Sequence, residues 1–283
     1  MKLLEVNGLV KEYPSFRLNE VSFSLDEGYI MGFIGRNGAG KSTTIKSMLN
    51  LVKRDGGSVK FEGRDLFENE NECKKHIGVV IGEFKCYEHS KLGRISSVTK
   101  RFYDDWDDRV YQSYLKRFKL DENKKVSELS AGMKVKYALT LALSHNAKLL
   151  ILDEPTSGLD PVSRDDLLDV FRSIIDDGTK SILFSTHIIS DLEKCADHIT
   201  YIKNGSILAS KDVESFKNDY LLVSGDKEFL AGHRDALIGC KEHAFGFTGL
   251  IHSADADLFT DCRTASADLE SIMIYTEQEG NND

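Results

Sequence analysis

The segment Gly35-Arg36-Asn37-Gly38-Ala39-Gly40-Lys41-Ser42-Thr43 constrains this chain more than any other. It satisfies G-x-x-x-x-G-K-[ST], a loop that works only between a strand and a helix. Both are predicted. Tyr29–Ile34 is a short apolar run, and Ile45, Met48, Leu49 and Val52 recur at helical spacing. A triphosphate must be met by several backbone N–H groups at once, so side chains have to be absent where the backbone approaches. Gly35, Gly38 and Gly40 leave that room, and the helix beginning near Lys41 turns its positive end toward the anion. Lys41 adds a charge for the β- and γ-phosphates, and the Ser42 hydroxyl suits Mg²⁺. Residues 35–43 are thus the expected nucleotide-binding loop, with a nucleoside triphosphate and Mg²⁺ as its ligands.

A chain of 283 residues fits one large α/β domain with a small appendage better than two equal domains. Its formal net charge of −9 argues against nucleic acid as the main partner, which calls for a basic face. Cys73, Cys86, Cys195, Cys240 and Cys262 are scattered and lack C-x-x-C spacing, the pattern of free thiols in a reducing cytosol. The N-terminus reads as a strand, without a signal-peptide core. No apolar run approaches the roughly 20 residues that span a bilayer, so any work at a membrane is expected from the water side, through a partner.

Leu3–Val6 and Val21–Leu25 read as strands, with Tyr13-Pro14 in their connection. Tyr13 is either an ordinary strand-end aromatic or a flat surface for a purine. Gly56-Gly57-Ser58 is expected to turn the chain before a strand at Val59–Phe61, and His76–Ile81 is a further strand. From about residue 83 the pattern becomes helical: Leu92, Ile95, Val98 and Phe102 form one stripe, Tyr111, Tyr114, Leu115 and Phe118 another. This predicts an inserted helical subdomain over about 83–146. Phe84, Tyr87, Phe102, Tyr103 and Trp106 crowd its first half, as core or as a docking surface.

Ser130 precedes a helix packed through Tyr137, Ala138, Leu141 and Ala142. Ser130-Ala131-Gly132 reads as a cap, or as a second anion site at a helix start. Leu149–Leu152 is a continuous apolar run, hence a strand buried on both faces, and it ends in Asp153-Glu154. With a phosphate loop in the same sheet, Asp153 is placed for the Mg²⁺ shell and Glu154 for the attacking water. Asp160 as cap and Pro161 at the first helical position open an amphipathic helix with Leu167, Val170, Phe171, Ile174 and Ile175 inward. Ser181–Ser185 is another buried strand, and His187 follows it beside the expected Asp153 strand, as a structural residue or a γ-phosphate contact. Asn204-Gly205 reads as a type I′ hairpin turn between Ile199–Lys203 and Ser206–Ala209.

The phosphate loop, Leu129–Met133, Leu149–Glu154, Ser157–Asp160 and His187, in that order, resemble the ATP-binding subunit of ABC transporters over roughly residues 2–218. The resemblance implies a P-loop NTPase with a mostly parallel core sheet, an antiparallel β subdomain and the inserted helices. Residues 219–283 lie beyond the resemblance, and the strand-like Tyr220–Ser224 and Phe245–His252 with the apolar Leu269, Ile272 and Met273 predict a small α+β accessory region there. The resemblance also implies roles. Tyr13 stacks on adenine, and Ser130 and Gly132 are a signature that contacts ATP held by a second ABC subunit, identical or different. Glu154 is the catalytic carboxylate, His187 the switch on the γ-phosphate, and Asp160 part of the inter-subunit loop. The implied activity is ATP hydrolysis on the inner face of the cell membrane, powering a separate membrane permease. A soluble ABC-type ATPase acting on ribosomes or DNA, or a regulatory nucleotide-binding module, is the alternative. Two departures stand out. Met133 replaces the usual Gln of the signature, and the Gln expected after the 77–81 strand is absent, with Gly82 in its place; either Glu83 substitutes as the metal contact after a one-residue shift, the reading favoured here, or that contact is lost.

Overall fold

The computed structural model describes residues 1–81 and 87–278. Gly82, Glu83, Phe84 and Cys86 therefore lie outside the described residues. The chain forms two compact units, Met1–Ser210 and Lys211–Asp283.

The first unit contains two sheets. An antiparallel one has the order β2-β1-β4-β5, from β1 (Lys2–Tyr13), β2 (Phe16–Asp26), β4 (Gly56–Phe61) and β5 (Arg64–Asp65). The first two strands run well beyond Leu3–Val6 and Val21–Leu25, because bulges in β1 keep Leu4, Val6, Leu9, Leu18 and Val21 buried as the register shifts. The turn expected at Gly56-Gly57-Ser58 is instead the start of β4. Gly57 has φ +87°, and a Cβ there would lie 2.4 Å from the Gly8 carbonyl, so this pair of glycines admits the bulged backbone of β1.

The second sheet has the order β10-β9-β3-β8-β7-β6. Its members are β3 (Ile30–Ile34), β6 (Ile77–Ile81), β7 (Leu149–Asp153), β8 (Ser181–Thr186), β9 (His198–Lys203) and β10 (Ser206–Asp212). Strands β6, β7, β8, β3 and β9 run parallel. Every residue of β3 and β8 is buried, as a parallel sheet covered on both faces requires. The β9–β10 turn has Asn204 and Gly205 at φ +49° and +80°, the type I′ signs. Helix α1 (Lys41–Met48) leaves β3 through the phosphate loop, and α2 (Glu70–Lys75) precedes β6.

Between β6 and β7 lie α3 (Leu92–Thr99), α4 (Asp108–Arg117) and α5 (Ala131–Ser144). Their shared centre is polar. The Ser96 hydroxyl lies 2.6 Å from that of Tyr111 and 2.8 Å from that of Tyr137, and Tyr137 also donates to the Leu92 carbonyl. Burial pushes both phenols far up, so they stay neutral hydrogen-bonding groups. The aromatics nearby divide. Trp106 is half-buried, tilted against Tyr111, with its indole N–H on Asp108, and Tyr103 stacks on buried His145. Tyr87, Val98 and Phe102 are exposed.

Helix α6 (Pro161–Ile175) buries Leu167, Val170, Phe171 and Ile174, with Ile175 half-buried, and α7 (Ile189–Cys195) follows β8. Among the described residues no helix is long and apolar enough to cross a membrane.

The second unit holds α8 (Val213–Asn218) and an antiparallel sheet of order β12-β13-β11-β14. The strands are β11 (Tyr220–Gly225), β12 (Gly239–His243), β13 (Gly246–His252) and β14 (Arg263–Ser266). With α9 (Lys227–His233) and α10 (Leu269–Gln278) it makes an α+β fold of its own, cored by Val223, Leu230, Phe247, Ile251 and Phe259.

Candidate functional site

The site stands at the C-terminal ends of β3, β7 and β8, where a parallel sheet offers a crevice. Leaving β3, the chain lifts Arg36, Asn37 and Gly38 into solvent and then buries Ala39, Gly40 and Lys41. The loop is held from both sides. Ala39 N–H donates to the Arg36 carbonyl at 3.1 Å, the Ala39 carbonyl accepts from Gly205 N–H at 2.9 Å, and Thr44 donates twice to the Gly40 carbonyl. Gly40 has φ +117°, and a Cβ there would come within 2.8 Å of Phe16 and Leu18. No other residue fits that close an approach without shifting its neighbours.

Lys41 is only 5% exposed, and a buried ammonium must be satisfied. Its Nζ donates to the Gly35 carbonyl at 2.8 Å and the Arg36 carbonyl at 3.2 Å, and lies 3.4 Å from Glu154 Oε1. The neighbouring Ser42 hydroxyl donates to Asp153 Oδ1 at 3.1 Å. That same oxygen accepts a 2.6 Å bond from the Ser185 hydroxyl, and Ser185 Oγ accepts from Glu154 N–H at 2.9 Å. Register explains the convergence, since Asp153 is the parallel-strand partner of Ser185.

Glu154 has φ +50°, a left-handed conformation costing a non-glycine residue about 1–3 kcal/mol. The turn aims its carboxylate two ways, with Oε1 toward Lys41 and Oε2 at 2.9 Å from His187 Nδ1. His187 is 39% exposed, so its ring is accessible from solvent. Lys41, Ser42, Asp153, Glu154 and His187, drawn from three strand ends, thus form one contact chain. Ser185 belongs to it and was not singled out in the sequence. The signal that points to it is a hydroxyl residue at the end of an otherwise apolar buried strand.

The other expected site residues lie around this cluster. Tyr13 ends β1, half-exposed, as cross-strand partner of the Phe16 whose ring faces Gly40. Ser130 caps α5, accepting from Met133 N–H at 3.3 Å, and Gly132 lies beside Leu159 and Ser163. Asp160 caps α6 through Val162 and Ser163 N–H, and bonding from Ser163 holds its carboxyl below the usual range. A cleft of about 520 Å³ separates the start of α5 from the acids, lined by Ala131, Lys134, Asp153, Glu154, Ser157 and Leu159. Gly132 stands next to Leu159, in the 157–160 loop of its own chain, and neither it nor Ser130 is part of the contact chain around Lys41. No group of three or more metal-ligating His, Cys, Asp or Glu occurs among the described residues.

Residues 18–157 match the family model for ABC transporters. The chain is 33% identical over 220 residues to the lantibiotic transport ATP-binding protein SrtF of Streptococcus pyogenes, covering 76% of this chain and 93% of that one. It is 32% identical over 209 residues to the bacitracin transport ATP-binding protein BcrA of Bacillus licheniformis, covering 73% and 68%. A solved ATP-binding subunit of an ABC transporter superposes with a TM-score of 0.68 at 28% identity, covering 76% of this chain and 92% of that one.

Proposed function

The chain belongs to the ABC transporter ATP-binding proteins, and from that premise we propose that it hydrolyses ATP to ADP and phosphate, dependent on Mg²⁺, to drive a separate membrane permease. The observation that supports this most directly is the contact chain from Ser42 through Asp153, Ser185 and Glu154 to His187 around a buried Lys41.

In this reading residues 35–43 cradle the phosphates, and Lys41 exchanges its loop carbonyls and Glu154 for phosphate oxygens. The Ser42 hydroxyl and Asp153 carboxylate are hard oxygen donors at one point, and Mg²⁺ asks for only one or two such protein ligands beside waters and substrate. The pair fits Mg²⁺, which when bound neutralises charge on the transferring phosphoryl group. Glu154 accepts a proton from the water whose oxygen bonds to the γ-phosphorus. The bond from that phosphorus to the β–γ bridging oxygen breaks, and ADP leaves with its electron pair. His187 orients the γ-phosphate from a ring held by Glu154, and Tyr13 stacks on adenine.

Ser130 and Gly132 serve the ATP of a second subunit, and Asp160 lies in the loop between the two. The permease docks on the helices between β6 and β7, where Tyr87, Val98 and Phe102 stand exposed beside a groove of about 530 Å³. That attachment holds the subunit at the inner face of the membrane.

The test is a pair of variants assayed for ATP binding and turnover separately. Glu154→Gln keeps ATP binding and loses about 10²-fold or more in turnover, the scale of a general base. Lys41→Ala loses the binding itself. Turnover near wild type in Glu154→Gln removes Glu154 from the catalytic role.

A further inference from the structure

Behind the site lies a carboxylate that none of the steps above uses. Asp191, in α7, is completely buried, as are its neighbours Thr156 and Thr186 at 1% exposure. A carboxylate taken out of water is costly unless it is hydrogen-bonded and paired. Here the partners come from three different segments. Asp191 Oδ2 accepts from the Thr156 hydroxyl at 2.6 Å and from the Thr186 hydroxyl at 3.4 Å. Oδ1 faces Arg164 Nε at 3.9 Å, and neither of these two buried atoms has a hydrogen bond.

Each segment leads to a different working part. Thr156 lies two residues after Glu154, in the turn closed by Ser157 N–H on the Glu154 carbonyl. Thr186 immediately precedes His187, and its Oγ1 also accepts from Ile188 N–H at 3.0 Å, so it grips both sides of the histidine. Arg164 rides on the helix capped by Asp160, and its Nη2 reaches the Leu159 carbonyl at 3.5 Å. Charge-assisted N–H···O bonds close at about 2.7–2.9 Å, so Nε and Oδ1 stand roughly 1 Å from a paired arrangement. Moving the 157–160 loop and the start of α6 by that much makes or breaks the pair.

We propose that Asp191 is a positioning residue that couples the 157–160 loop to His187, so that closure of that loop seats Arg164 on Oδ1 and sets the histidine and Glu154 together. The inference rests on the roles given above to Glu154 and His187. It adds a residue that touches neither nucleotide nor the second subunit, and a two-position element for the loop to act on.

The test uses the full chain and reads hydrogen exchange of the 155–164 and 185–191 segments, with and without Mg-ATP, beside turnover. In the wild type both segments gain protection together. Asp191→Asn keeps the shape but removes the charge that Arg164 meets. It leaves the ATP KM within about twofold and lowers kcat by about 10- to 100-fold, the scale of a small displacement imposed from outside the reacting groups. The two segments then respond independently. Arg164→Gln gives the same loss, and the double variant is no worse than either single one, because both remove one coupling. Thr156→Val, which deletes a single hydroxyl, supplies the measurement if Asp191→Asn does not fold. The inference is overturned if kcat and the joint protection survive in Asp191→Asn, if the loss appears only as lower ATP affinity or melting temperature, or if the two substitutions multiply. Joint protection in a wild type that does not turn over ATP would sink the hydrolysis reading and leave the coupling standing.

Discussion

His187 Nδ1 lies 2.9 Å from Glu154 Oε2, although the two residues are separated by the whole of α6 and stand on different strand ends. Strands β7 and β8 are parallel neighbours with Asp153 opposite Ser185, so each strand presents its next residues to the same crevice. Two groups in one such contact act as a unit and not as a sum. We expect His187→Ala to lower turnover by about 10²-fold and to add little to Glu154→Gln when the two are combined. A double variant whose loss is the product of the single ones would show that the contact has no catalytic meaning.

Ser185 joins the metal candidate to the catalytic candidate, because its hydroxyl donates to Asp153 and accepts from Glu154 N–H. Ser185→Ala leaves the partly buried Glu154 N–H without its partner, a loss of about 1 kcal/mol. The expected phenotype is a higher Mg²⁺ requirement and lower kcat with ATP affinity retained. A Mg²⁺ titration of turnover measures it, and an unchanged titration curve refutes it.

Ser130 and Lys41 each begin a helix suited to an anion, yet the chain has one phosphate loop. Mixing Lys41→Ala with Ser130→Arg protein, both carrying Glu154→Gln, places both lesions in one composite site and leaves the other intact. Occlusion of about one ATP per mixed dimer is expected where neither protein occludes any alone, given helix ends that act on ATP in trans. Confirmed mixed dimers without occlusion, repeated with a different ABC subunit as partner, would contradict the shared site.

Phe102 is 72% exposed and Tyr87 is 55% exposed, whereas Trp106 is engaged with Asp108 and Tyr111. Phe102→Glu or Tyr87→Glu should reduce recovery of the protein with its permease on membranes while ATP binding by the free subunit is retained. Trp106→Glu should instead lower the melting temperature, because it breaks packing. Equal membrane recovery for the Phe102 and Tyr87 variants would remove the docking assignment.

His145 is buried under the Tyr103 ring, with centroids 3.8 Å apart, and Nδ1 at 3.0 Å from the Lys75 carbonyl. Loss of hydration lowers its pKa from the ordinary 6.5. The folded state therefore refuses a proton that the unfolded state accepts, so the contribution to stability is full above 6.5. It declines as pH falls from there toward the folded value. Urea unfolding at about pH 7.5 and about pH 5.5 should show this loss, and His145→Gln should reduce the difference between the two. An identical difference in the variant would assign the slope to other groups.

The sequence by itself determined the phosphate loop, the buried strands and the two helix caps at Ser130 and Asp160, because each depends on residues within a few positions of one another. Glycine backbone, apolar runs and capping side chains act locally, and the chain has only to form the element for the reading to hold. Gly56-Gly57 misled for the same reason. Two adjacent glycines signal a turn locally, while the bulged strand that requires one of them, Gly57 against Gly8, is far away in the chain. Tertiary structure alone decided the polar partnerships. That Ser185 serves both Asp153 and Glu154, and that one carboxylate at Asp191 gathers Thr156, Thr186 and Arg164, follows from sheet order and register. No local pattern encodes which buried oxygen will find which donor. Burial raises the cost of leaving either unmet, and only the folded chain brings them within reach.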